Sequence, residues 1–430
     1  MTTDPNIDCD LLVIGAGMAG SAAALFAAAL GFNTVQAGIT SQTIFASGLM
    51  DLMGVHPVAS GRVWRSPHDA LAALAEDEPR HPLARVSPVE IDQALKMFTG
   101  FLSDTGLSYR CRPGRNVRIP MPTGTLKTTY CVPLSMWPGV KALEKQQPCL
   151  IVGVHGLRGF SARQISESLQ PVWPGLRHAN IRLPDRGYRE EIFAEPFARS
   201  LAVKDNRRRF AEALAAVIGQ KPVDAVAFPA MLGLGNVNDI IADIAKTIVK
   251  PLFEIPTMPP SIPGLRLKET LEEGLRQKGV MLLRQQRVFA SQPQKDGFLS
   301  LVGSPEAPTA VRSRAVLLAT GRFLGKGLHA DRKKIRETLF DLPVHQPEKR
   351  PDWHRTDFLD SRGHPVNRSG IETDDALRPL TSSKQPLHPH LFAAGSILAH
   401  QDWMRAKCGA GLSIATAWKA VQSFKAAAGF

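Results

Sequence analysis

The feature that most constrains this chain is a glycine-rich turn near its start. Residues 11–20, LLVIGAGMAG, place an apolar strand before Gly15, Gly17 and Gly20, and an alanine-rich helix follows. In a G-x-G-x-x-G turn the first glycine permits the tight bend, the second lets backbone approach a phosphate, and the third lets helix and strand pack closely. The helix N-terminus then attracts the phosphate. The pattern predicts a βαβ unit that binds a dinucleotide or a flavin.

The same stretch raises a membrane-span alternative, because residues 11–30 carry no charge. Alanine and glycine dominate it, however, and they insert weakly beside a leucine-rich span. The glycines also cluster where a strand would turn into a helix. The preceding residues, MTTDPNIDCD, lack the cationic region of a secretory signal. We therefore expect neither a transmembrane segment nor a signal peptide.

Strand, glycine-turn and helix signals recur along the chain and predict an α/β protein. PCLIVGVHGLRGF and DAVAFPAMLGLGN repeat this order within a long tract rich in proline and arginine. We expect a Rossmann-like flavin domain of the two-dinucleotide-binding type, assembled from both ends of the chain, with a large inserted α/β cap or substrate domain. The predicted bounds are 1–56, 263–330 and 376–430 for the flavin domain, 57–262 for the inserted domain and 331–375 for a cap-associated segment.

The end of the second strand bears on which nucleotide is held. A carboxylate about 20 residues after the glycines usually grips a ribose hydroxyl. Here the strand TVQAG ends at Gly38, and the next acid after Asn33 is Asp51. The missing acid argues against NAD and weakens the case for FAD, whereas FMN has no second ribose to grip. We expect FMN, with FAD as the alternative.

Two C-terminal motifs favour a flavin over a nicotinamide. LFAAGS, with Gly395 and Ser396, resembles the closing segment of two-dinucleotide-fold flavoproteins, where an aspartate usually stands in place of Ser396. Gly409 and Gly411 in CGAGLS would let a helix N-terminus approach the flavin ring edge. Gly321, in LLATG, ends another apolar strand at a glycine turn. These residues join the candidate cofactor site.

Four other residues keep both a functional and a structural interpretation. Ser47 and Gly48 in FASGLMDL either wrap the flavin or form a polar turn. Arg378 either holds an anionic substrate or the flavin, or forms an ion pair with Asp374. Arg322 either meets a cofactor phosphate or lies in a solvated turn.

Histidines and cysteines supply a smaller set of candidates. His400 follows the flavin segment and is a candidate proton donor to reduced flavin or substrate. The other clustered histidines lack metal-ligand spacing: His345, His354, His364, His388 and His390. The 5 cysteines are scattered without a CxxC motif, so we expect no metal, no iron–sulfur cluster and a reducing compartment. Cys408 is expected to be a packing residue rather than a nucleophile.

The chain is basic, with a net charge of +13. The positive residues form knots at 207–209 and 332–334, without interleaved aromatic residues or a nucleic-acid-binding motif. We expect no nucleic-acid partner. A solvated face, a membrane-surface face and a partner-docking face remain open.

Taken in order along nearly the whole chain, these stretches resemble the B-subunit family of bacterial anaerobic glycerol-3-phosphate dehydrogenases. The resemblance also runs through LLATGRFLGKGL and IETDDALRPL, and its most specific segments are PTMPPSIPGLRL and PTGTLKTTY. It implies FMN, a related flavoprotein A subunit and an iron–sulfur C subunit that delivers electrons to quinone. The complex would oxidise glycerol 3-phosphate to dihydroxyacetone phosphate at the cytoplasmic face of the inner membrane, in anaerobic respiration.

Two other functions remain open from the residues. One is a free-standing FAD-dependent oxidoreductase of a small anionic or steroid-like substrate, with Arg378 as the anion clamp. The other is an assembly subunit without a redox-active flavin. In the enzymatic interpretations the catalytic candidates are His400 and Arg378.

Overall fold

The computed structural model describes residues 7–39, 42–183, 191–219 and 222–429. The strands β1 to β19 are, in chain order, Ile7–Ile14, Thr34–Gly38, Tyr109–Cys111, Val117–Pro120, Leu126–Thr129, Cys131–Pro133, Cys149–Val154, Leu176–Ile181, Ala225–Pro229, Leu252–Ile255, Met281–Arg284, Val288–Gln294, Gly297–Ser304, Ala307–Leu318, Leu328–Ala330, Ile335–Glu337, Val344–His345, Gly370–Ile371 and Leu391–Ala393. The helices α1 to α11 are Met18–Ala29, Pro67–Asp77, Pro88–Asp104, Trp137–Glu144, Ala162–Leu169, Ala194–Ser200, Lys204–Ile218, Val237–Ile248, Ile262–Gln277, Trp403–Ala406 and Gly409–Ala427. Short 3₁₀ helices cover Gln42–Phe45, Val58–Ser60, Pro82–Arg85, Leu134–Met136, Arg350–Trp353, Pro365–Arg368 and Gly395–Ile397.

The described residues form two compact units. The first comprises those within Met1–Gln42, Asp51–Phe101 and Leu271–Phe430, and the second those within Thr43–Met50 and Leu102–Thr270. The predicted bounds differ from this division in four places. Residues 57–101, predicted as insertion, and the predicted cap-associated segment 331–375 lie in the first unit. Residues 43–50 and 263–270, predicted as parts of the flavin domain, lie in the second.

Side-chain contacts within the first unit explain why 57–101 and 331–375 belong to it. Arg85 donates to Thr373 Oγ1 at 2.8 Å and to the carbonyl of Asp374 at 3.0 Å. Lys419 pairs with Glu90 at 3.2 Å. These contacts join residues separated by some 300 positions in sequence, so the local hydrophobic pattern could not reveal them.

A mixed sheet forms the centre of the first unit. Its order is β11-β2-β1-β14-β13-β12, and β19 also pairs with β14. The strands β11, β2, β1, β14 and β19 are parallel, whereas β12 and β13 join β14 in antiparallel fashion. Ala319 N donates to Ile14 O at 2.8 Å, and Ala394 N donates to Leu318 O at 2.9 Å. The carboxyl ends of β1, β14 and β19 therefore meet at one edge, which is where ligands bind in such sheets.

The N-terminal βαβ unit is built as predicted, and its helix α1 packs on α11. Leu11, Leu12 and Val13 are fully buried, as expected for a strand with both faces covered. Phe26 of α1 meets Trp418 of α11 edge to face at 5.0 Å. Among the residues that the structure describes, no helix has the length and hydropathy that a membrane span requires.

A parallel sheet forms the core of the second unit. Its order is β10-β9-β7-β8, so the chain winds outward in both directions from β7. The two strand–helix repeats predicted in this tract are β7 with α5 and β9 with α8. A fully buried ion pair fixes the loop after β9: Arg266 binds Glu254 at 2.6 Å, and its Nε donates to Gly233 O at 2.8 Å.

Two arginines of the first basic knot form ion pairs within this unit. Arg207 lies 3.4 Å from Asp243, and Arg208 donates to Asp205 at 2.7 Å and to Glu212 at 2.8 Å. These pairs match the solvated-face interpretation of the knot.

The cysteines include one pair that the sequence did not reveal. Cys111 and Cys131 stand opposite each other in the antiparallel pair β3·β6 and form a disulfide, with a Cα–Cα distance of 4.2 Å. The expectation of reduced cysteines throughout is therefore wrong for these two. Directly opposed positions bring Cβ atoms within disulfide reach, and strand register cannot be read from cysteine spacing.

Candidate active site

The three glycines of the first turn have different surroundings. A Cβ on Gly15, whose φ is +130°, would lie 2.1 Å from Ala319 O, and one on Gly20 would lie 1.9 Å from Gly15 O. A Cβ on Gly17 would meet no atom of the described residues within 4 Å. Gly15 and Gly20 thus allow backbone to pack on backbone, while Gly17 faces open space. Gly17 also N-caps α1 without a capping side chain, so the first-turn N–H groups can receive an anion.

The other glycine segments meet this turn. A Cβ on Gly395, whose φ is +79°, would lie 2.6 Å from the Cβ of Ala19 in α1, and Gly395 N donates to Thr416 Oγ1 at 2.9 Å. Ser396 follows, and Gly321 comes two residues after Ala319 at the same sheet edge. The structure therefore assembles glycine turns from three distant parts of the chain, in a form that suits the phosphates of a flavin nucleotide.

Gly38 has a packing reason to lack a side chain. A Cβ there would lie 2.7 Å from Ala16 N and 2.8 Å from the Cβ of Ala16. Any side chain, acidic or not, would strike the glycine turn. Close packing therefore explains why no carboxylate stands at Gly38, and its absence does not indicate whether FMN or FAD is bound.

Gly409 and Gly411 pack against protein at the start of α11. A Cβ on Gly411 would lie 2.7 Å from Leu52, and Gly411 N donates to Asp51 O at 2.8 Å. A Cβ on Gly409 would lie 2.8 Å from the Trp403 ring. Their predicted approach to the flavin ring stays a prediction.

Ser47 and Gly48 belong to the second unit. Gly48 has a φ of +78°, and its carbonyl accepts from the Tyr109 hydroxyl at 2.8 Å. A Cβ on Gly48 would meet Pro263 at 2.7 Å. This turn has local reasons for its glycine, and the contact of either residue with flavin stays a prediction.

The two arginines singled out from sequence, Arg378 and Arg322, both donate hydrogen bonds to other residues of the chain. Arg378 donates to Asp374 Oδ2 from Nε at 2.8 Å and from Nη2 at 2.7 Å, which is the structural alternative that the sequence left open. Arg322 donates to the carbonyl of Asn367, and burial lowers its pKa. Arg378 is therefore poorly placed as an anion clamp, because a carboxylate already occupies its guanidinium.

His400 is paired with a carboxylate. Its Nε2 lies 2.8 Å from Glu372 Oε1, and Lys384 Nζ donates to the other oxygen, Oε2. Burial alone would raise the pKa of Glu372, but hydrogen bonds from Lys384 and His400 outweigh it and lower that pKa to about 2. An ionised carboxylate only accepts hydrogen bonds, so His400 Nε2 carries the proton and Nδ1 keeps the basic lone pair.

His400 is set up as a base near neutral pH. Burial lowers its pKa, and the hydrogen bond to Glu372 opposes that shift. Its backbone is held by Arg368: His400 N donates to Arg368 O at 2.9 Å, and Arg368 Nη2 donates to His400 O at 3.2 Å. A neutral, oriented imidazole can accept a proton from a substrate hydroxyl.

His345 completes a three-residue cluster with Glu372 and His400. Their ligand atoms lie within 4.8 Å of one another, a spacing that could hold a metal ion. Burial, and then the positive charges of Arg80 and Arg368, lower the pKa of His345. With Lys384 also bound to Glu372, the surroundings are cationic and suit proton transfer near an anion better than a divalent cation.

A cavity of about 260 Å³ is lined in part by Arg368, the residue that holds the His400 backbone, while neither His400 nor Glu372 is among its lining residues. Its basic lining residues are His56, His81, Arg355, Arg362, His364 and Arg368. Arg368 is paired with Glu78, and Arg362 with Asp360 at 2.6 Å. The guanidinium of Arg355 donates one hydrogen bond, from Nε to Gly363 O at 3.0 Å, and forms no ion pair among the described residues. Its guanidinium is therefore the cation available to an anion in the cavity.

His81 adds a neutral donor to the cavity wall. Its Nδ1 accepts from Leu83 N at 3.1 Å, so its proton is on Nε2. Burial, followed by the charges of Arg368, His56 and His400, lowers its pKa to about 3. His81 is therefore uncharged at physiological pH.

This shifted pKa makes stability depend on pH. Below pH about 6.5 the unfolded chain binds a proton at His81 that the folded chain does not bind. The free energy of unfolding therefore decreases by about 2 kcal/mol as the pH is lowered from 7 to 5. We expect His81→Gln to remove about that much of the pH dependence in urea titrations at the two pH values. His68→Gln, at a more exposed histidine, serves as the control, and equal pH dependence in the His81 variant and the parent would refute the assignment.

Sequence reasoning singled out His400 as a candidate but did not indicate which residues surround it. Glu372 lies in IETDDALRPL, in which only Arg378 stood out as a candidate. His81 and Arg355 lie about 270 positions apart and follow no recognisable motif. Only the fold brings them to one cavity.

Comparisons with known proteins give a consistent picture. The sequence model of the FAD binding domain family matches residues 10–412. The B subunit of anaerobic glycerol-3-phosphate dehydrogenase from Vibrio cholerae serotype O1 (strain ATCC 39315 / El Tor Inaba N16961) is 28% identical over 428 residues, covering 97% of this chain and 96% of the relative. The probable B subunit of the same enzyme from Halobacterium salinarum (strain ATCC 29341 / DSM 671 / R1) is also 28% identical, covering 96% of this chain and 97% of the relative. The crystal structure of 3-ketosteroid Δ1-dehydrogenase from Sterolibacterium denitrificans aligns over 99% of this chain and 100% of that one, at 11% identity and a TM-score of 0.45.

The family match and the two B-subunit relatives confirm the resemblance drawn from the motifs and the flavoprotein class of mixed α/β fold. They support a flavin-dependent oxidoreductase. They also correct the cofactor: the family match favours FAD over FMN, and the Gly38 argument for FMN fails because packing with Ala16 excludes any side chain there. Since the match covers nearly the whole chain, this protein belongs to the FAD binding domain family.

Proposed function

We propose that this chain is the flavoprotein B subunit of a quinone-linked glycerol-3-phosphate dehydrogenase. It would act with a flavoprotein A subunit and an iron–sulfur C subunit at the cytoplasmic face of the membrane, converting sn-glycerol 3-phosphate to dihydroxyacetone phosphate. The similarity to B subunits of that enzyme over nearly all of the chain supports this assignment. The observation that carries the chemistry is the His400–Glu372 pair, whose His400 backbone is held by Arg368, a residue that lines an arginine-rich cavity.

FAD fits the glycine turns of the first unit. The uncapped N-terminus of α1 at Gly17 would hold the pyrophosphate, with Gly321, Gly395 and Ser396 beside it at the sheet edge. A bound flavin supplies the acceptor for a hydride from the substrate carbon.

The residues of this chain would bind the substrate and move its proton. Arg355 would hold the phosphate, since its guanidinium has no carboxylate partner among the described residues. His400 Nδ1 would accept the hydroxyl proton. Glu372 would fix the tautomer and stabilise the imidazolium that forms, as a carboxylate does for a catalytic histidine.

The identity of the bound nucleotide is the first test. The chain is purified with its partner subunits, denatured, and the released chromophore is separated by chromatography. We expect FAD at about one per copy of this chain. To assign that FAD, the measurement is repeated on this chain purified alone, since the A subunit would contribute its own flavin. FMN, or no flavin on this chain, would contradict the proposal.

Replacing Arg355 should weaken substrate binding. A charged hydrogen bond contributes about 1.5–3 kcal/mol, so we expect Arg355→Gln to raise KM for glycerol 3-phosphate by roughly 10- to 100-fold with a smaller change in kcat. The measurement is steady-state quinone reduction by the assembled complex. Arg362→Gln is the matched control, because Asp360 already occupies that guanidinium. Equal KM values for the two variants would remove Arg355 from the substrate site.

A further inference from the structure

One side chain of the cavity wall carries a hydrogen-bond donor that the protein itself does not use. His81 is only 2% exposed, and it lines the cavity together with Arg355 and Arg368. Its Nδ1 accepts from Leu83 N, which leaves the ring proton on Nε2. Among the described residues no atom accepts a hydrogen bond from that Nε2. Because a buried donor without an acceptor destabilises the folded chain, we expect an acceptor from outside the chain.

The two carboxylates of the cavity wall do not supply this acceptor. Glu78 is paired with Arg368, and Asp402 Oδ2 accepts from Asn367 Nδ2 at 2.9 Å. Within the part of the chain that the structure describes, neither carboxylate accepts from His81. The acceptor therefore has to be a water molecule or a ligand in the cavity, and the charge of the wall distinguishes the two.

The wall places this neutral donor in the same cavity as an unpaired cation. The guanidinium of Arg355 forms no ion pair among the described residues, so its Nη groups are available to an anion. Burial lowers the pKa of His81 to about 3, so the imidazole donates its hydrogen bond without adding a charge. A phosphate monoester suits both groups. It has three terminal oxygens, of which two can accept from a guanidinium while the third accepts from an imidazole.

The segment that carries His81 is also bonded to the one that carries His400. His81 N donates to Glu78 O at 2.8 Å, and the Glu78 carboxylate pairs with Arg368. Arg368 Nη2 in turn donates to His400 O at 3.2 Å. A ligand bound by His81 is therefore held by the same hydrogen-bonded framework that positions the candidate base.

We propose that His81 binds the phosphate of the substrate, with its Nε2–H donating to one terminal oxygen while the guanidinium of Arg355 holds the others. This inference deepens the proposed function, on which the choice of glycerol 3-phosphate rests. No bond of the substrate forms or breaks at His81, so its role is binding. The donor also discriminates against glycerol without a phosphate, because such a ligand would leave the buried Nε2–H unpaired.

Two substitutions separate this donor from the structural role of the same ring. His81→Asn carries an amide oxygen on Cγ, where histidine carries Nδ1, so it can keep the bond from Leu83 N that caps the short helix Pro82–Arg85. It has no group that reaches as far as Nε2. His81→Gln carries an amide N–H one atom further out, as Nε2 is, and gives up the bond to Leu83. A binding role predicts that the glutamine variant resembles the parent more closely, and a purely structural role predicts that the asparagine variant does.

The measurement is calorimetric titration of the full chain with dihydroxyacetone phosphate, and with inorganic phosphate as a second probe. A hydrogen bond to a charged acceptor is lost in His81→Asn, so we expect Kd for dihydroxyacetone phosphate to rise roughly 10- to 100-fold, and His81→Gln to recover most of that loss. His68→Asn is the control, because His68 lies in α2 and is not a lining residue of the cavity. It should keep the parental Kd, and the melting temperature of every variant is measured alongside.

Three results would overturn the inference. One is an unchanged Kd in His81→Asn, which would leave His81 as a capping residue whose Nε2 bonds to water. Another is a larger loss of affinity in His81→Gln than in His81→Asn, and the third is a parent chain that binds neither probe. Failure of the proposed function looks different: the assembled complex would not oxidise glycerol 3-phosphate, while this chain still bound inorganic phosphate with the variants in the expected order.

Discussion

Gly17→Ala is expected to leave the chain folded and to remove its flavin. The backbone at Gly17, with φ −83° and ψ −172°, is open to alanine, and within the part of the chain that the structure describes the new Cβ would meet no atom within 4 Å. The methyl group would instead occupy the space in which a pyrophosphate approaches the N-terminus of α1. We expect at least a tenfold loss of FAD per chain, measured by absorbance and chromatography, with the melting temperature of the flavin-free protein changed by less than about 2 °C.

Two other glycines make this prediction specific. Gly100→Ala, in α3, also places a Cβ in open space, and should keep full FAD while gaining up to about 1 kcal/mol from helix propensity. Gly20→Ala should behave oppositely, losing about 3 kcal/mol of stability, because its Cβ would lie 1.9 Å from Gly15 O. Retention of FAD by Gly17→Ala would show that the nucleotide is not held at this turn.

The parts of the fold that sequence predicted are those encoded by neighbouring residues. The first βαβ unit, the strand–helix repeats of the second unit and α11 are all indicated by apolar periodicity and glycine turns. Even there one boundary moved: the helix was predicted to follow Gly20, whereas α1 begins at Met18. Gly20 is a helical residue because its missing Cβ lets α1 lie on the turn.

The parts that sequence missed depend on contacts between distant residues. The unit boundaries follow from pairs such as Lys419 with Glu90, and the disulfide follows from strand register. Gly38 was misleading for a related reason. Its lack of a carboxylate looked like a choice of nucleotide, whereas the structure shows steric exclusion by Ala16.

Sequence indicated one residue of the candidate site. His400 was singled out because it follows a recognisable flavin motif, and its role stays a prediction. Glu372 lies within a recognisable motif too, but nothing in the sequence indicated that its carboxylate would reach His400 at 2.8 Å. Arg378 shows a choice that the sequence left open: it predicted either an anion clamp or an ion pair with Asp374, and the structure has the ion pair.

Glu372 is expected to act through His400, and its effect should appear in the pH profile. The carboxylate raises the pKa of His400 by hydrogen bonding and by charge. Glu372→Gln removes both effects, so the pKa of His400 should fall and the acid limb of kcat/KM should move to lower pH. A merely structural role would lower activity without moving that limb.

Replacing His400 itself should abolish most turnover while the flavin stays bound. Loss of a positioned general base typically costs 10²–10⁴-fold, so we expect His400→Asn to lower kcat of the assembled complex by at least about 10²-fold. Asparagine is polar and smaller than histidine, and the glycine turns that would hold FAD lie elsewhere along the chain, so FAD content should match the parent. His178→Asn, at an exposed position of the second unit, should leave kcat unchanged. If His400→Asn kept kcat within threefold, proton transfer would have to be assigned to another group, and this chain's flavin would fit an electron relay for substrate oxidised on a partner subunit.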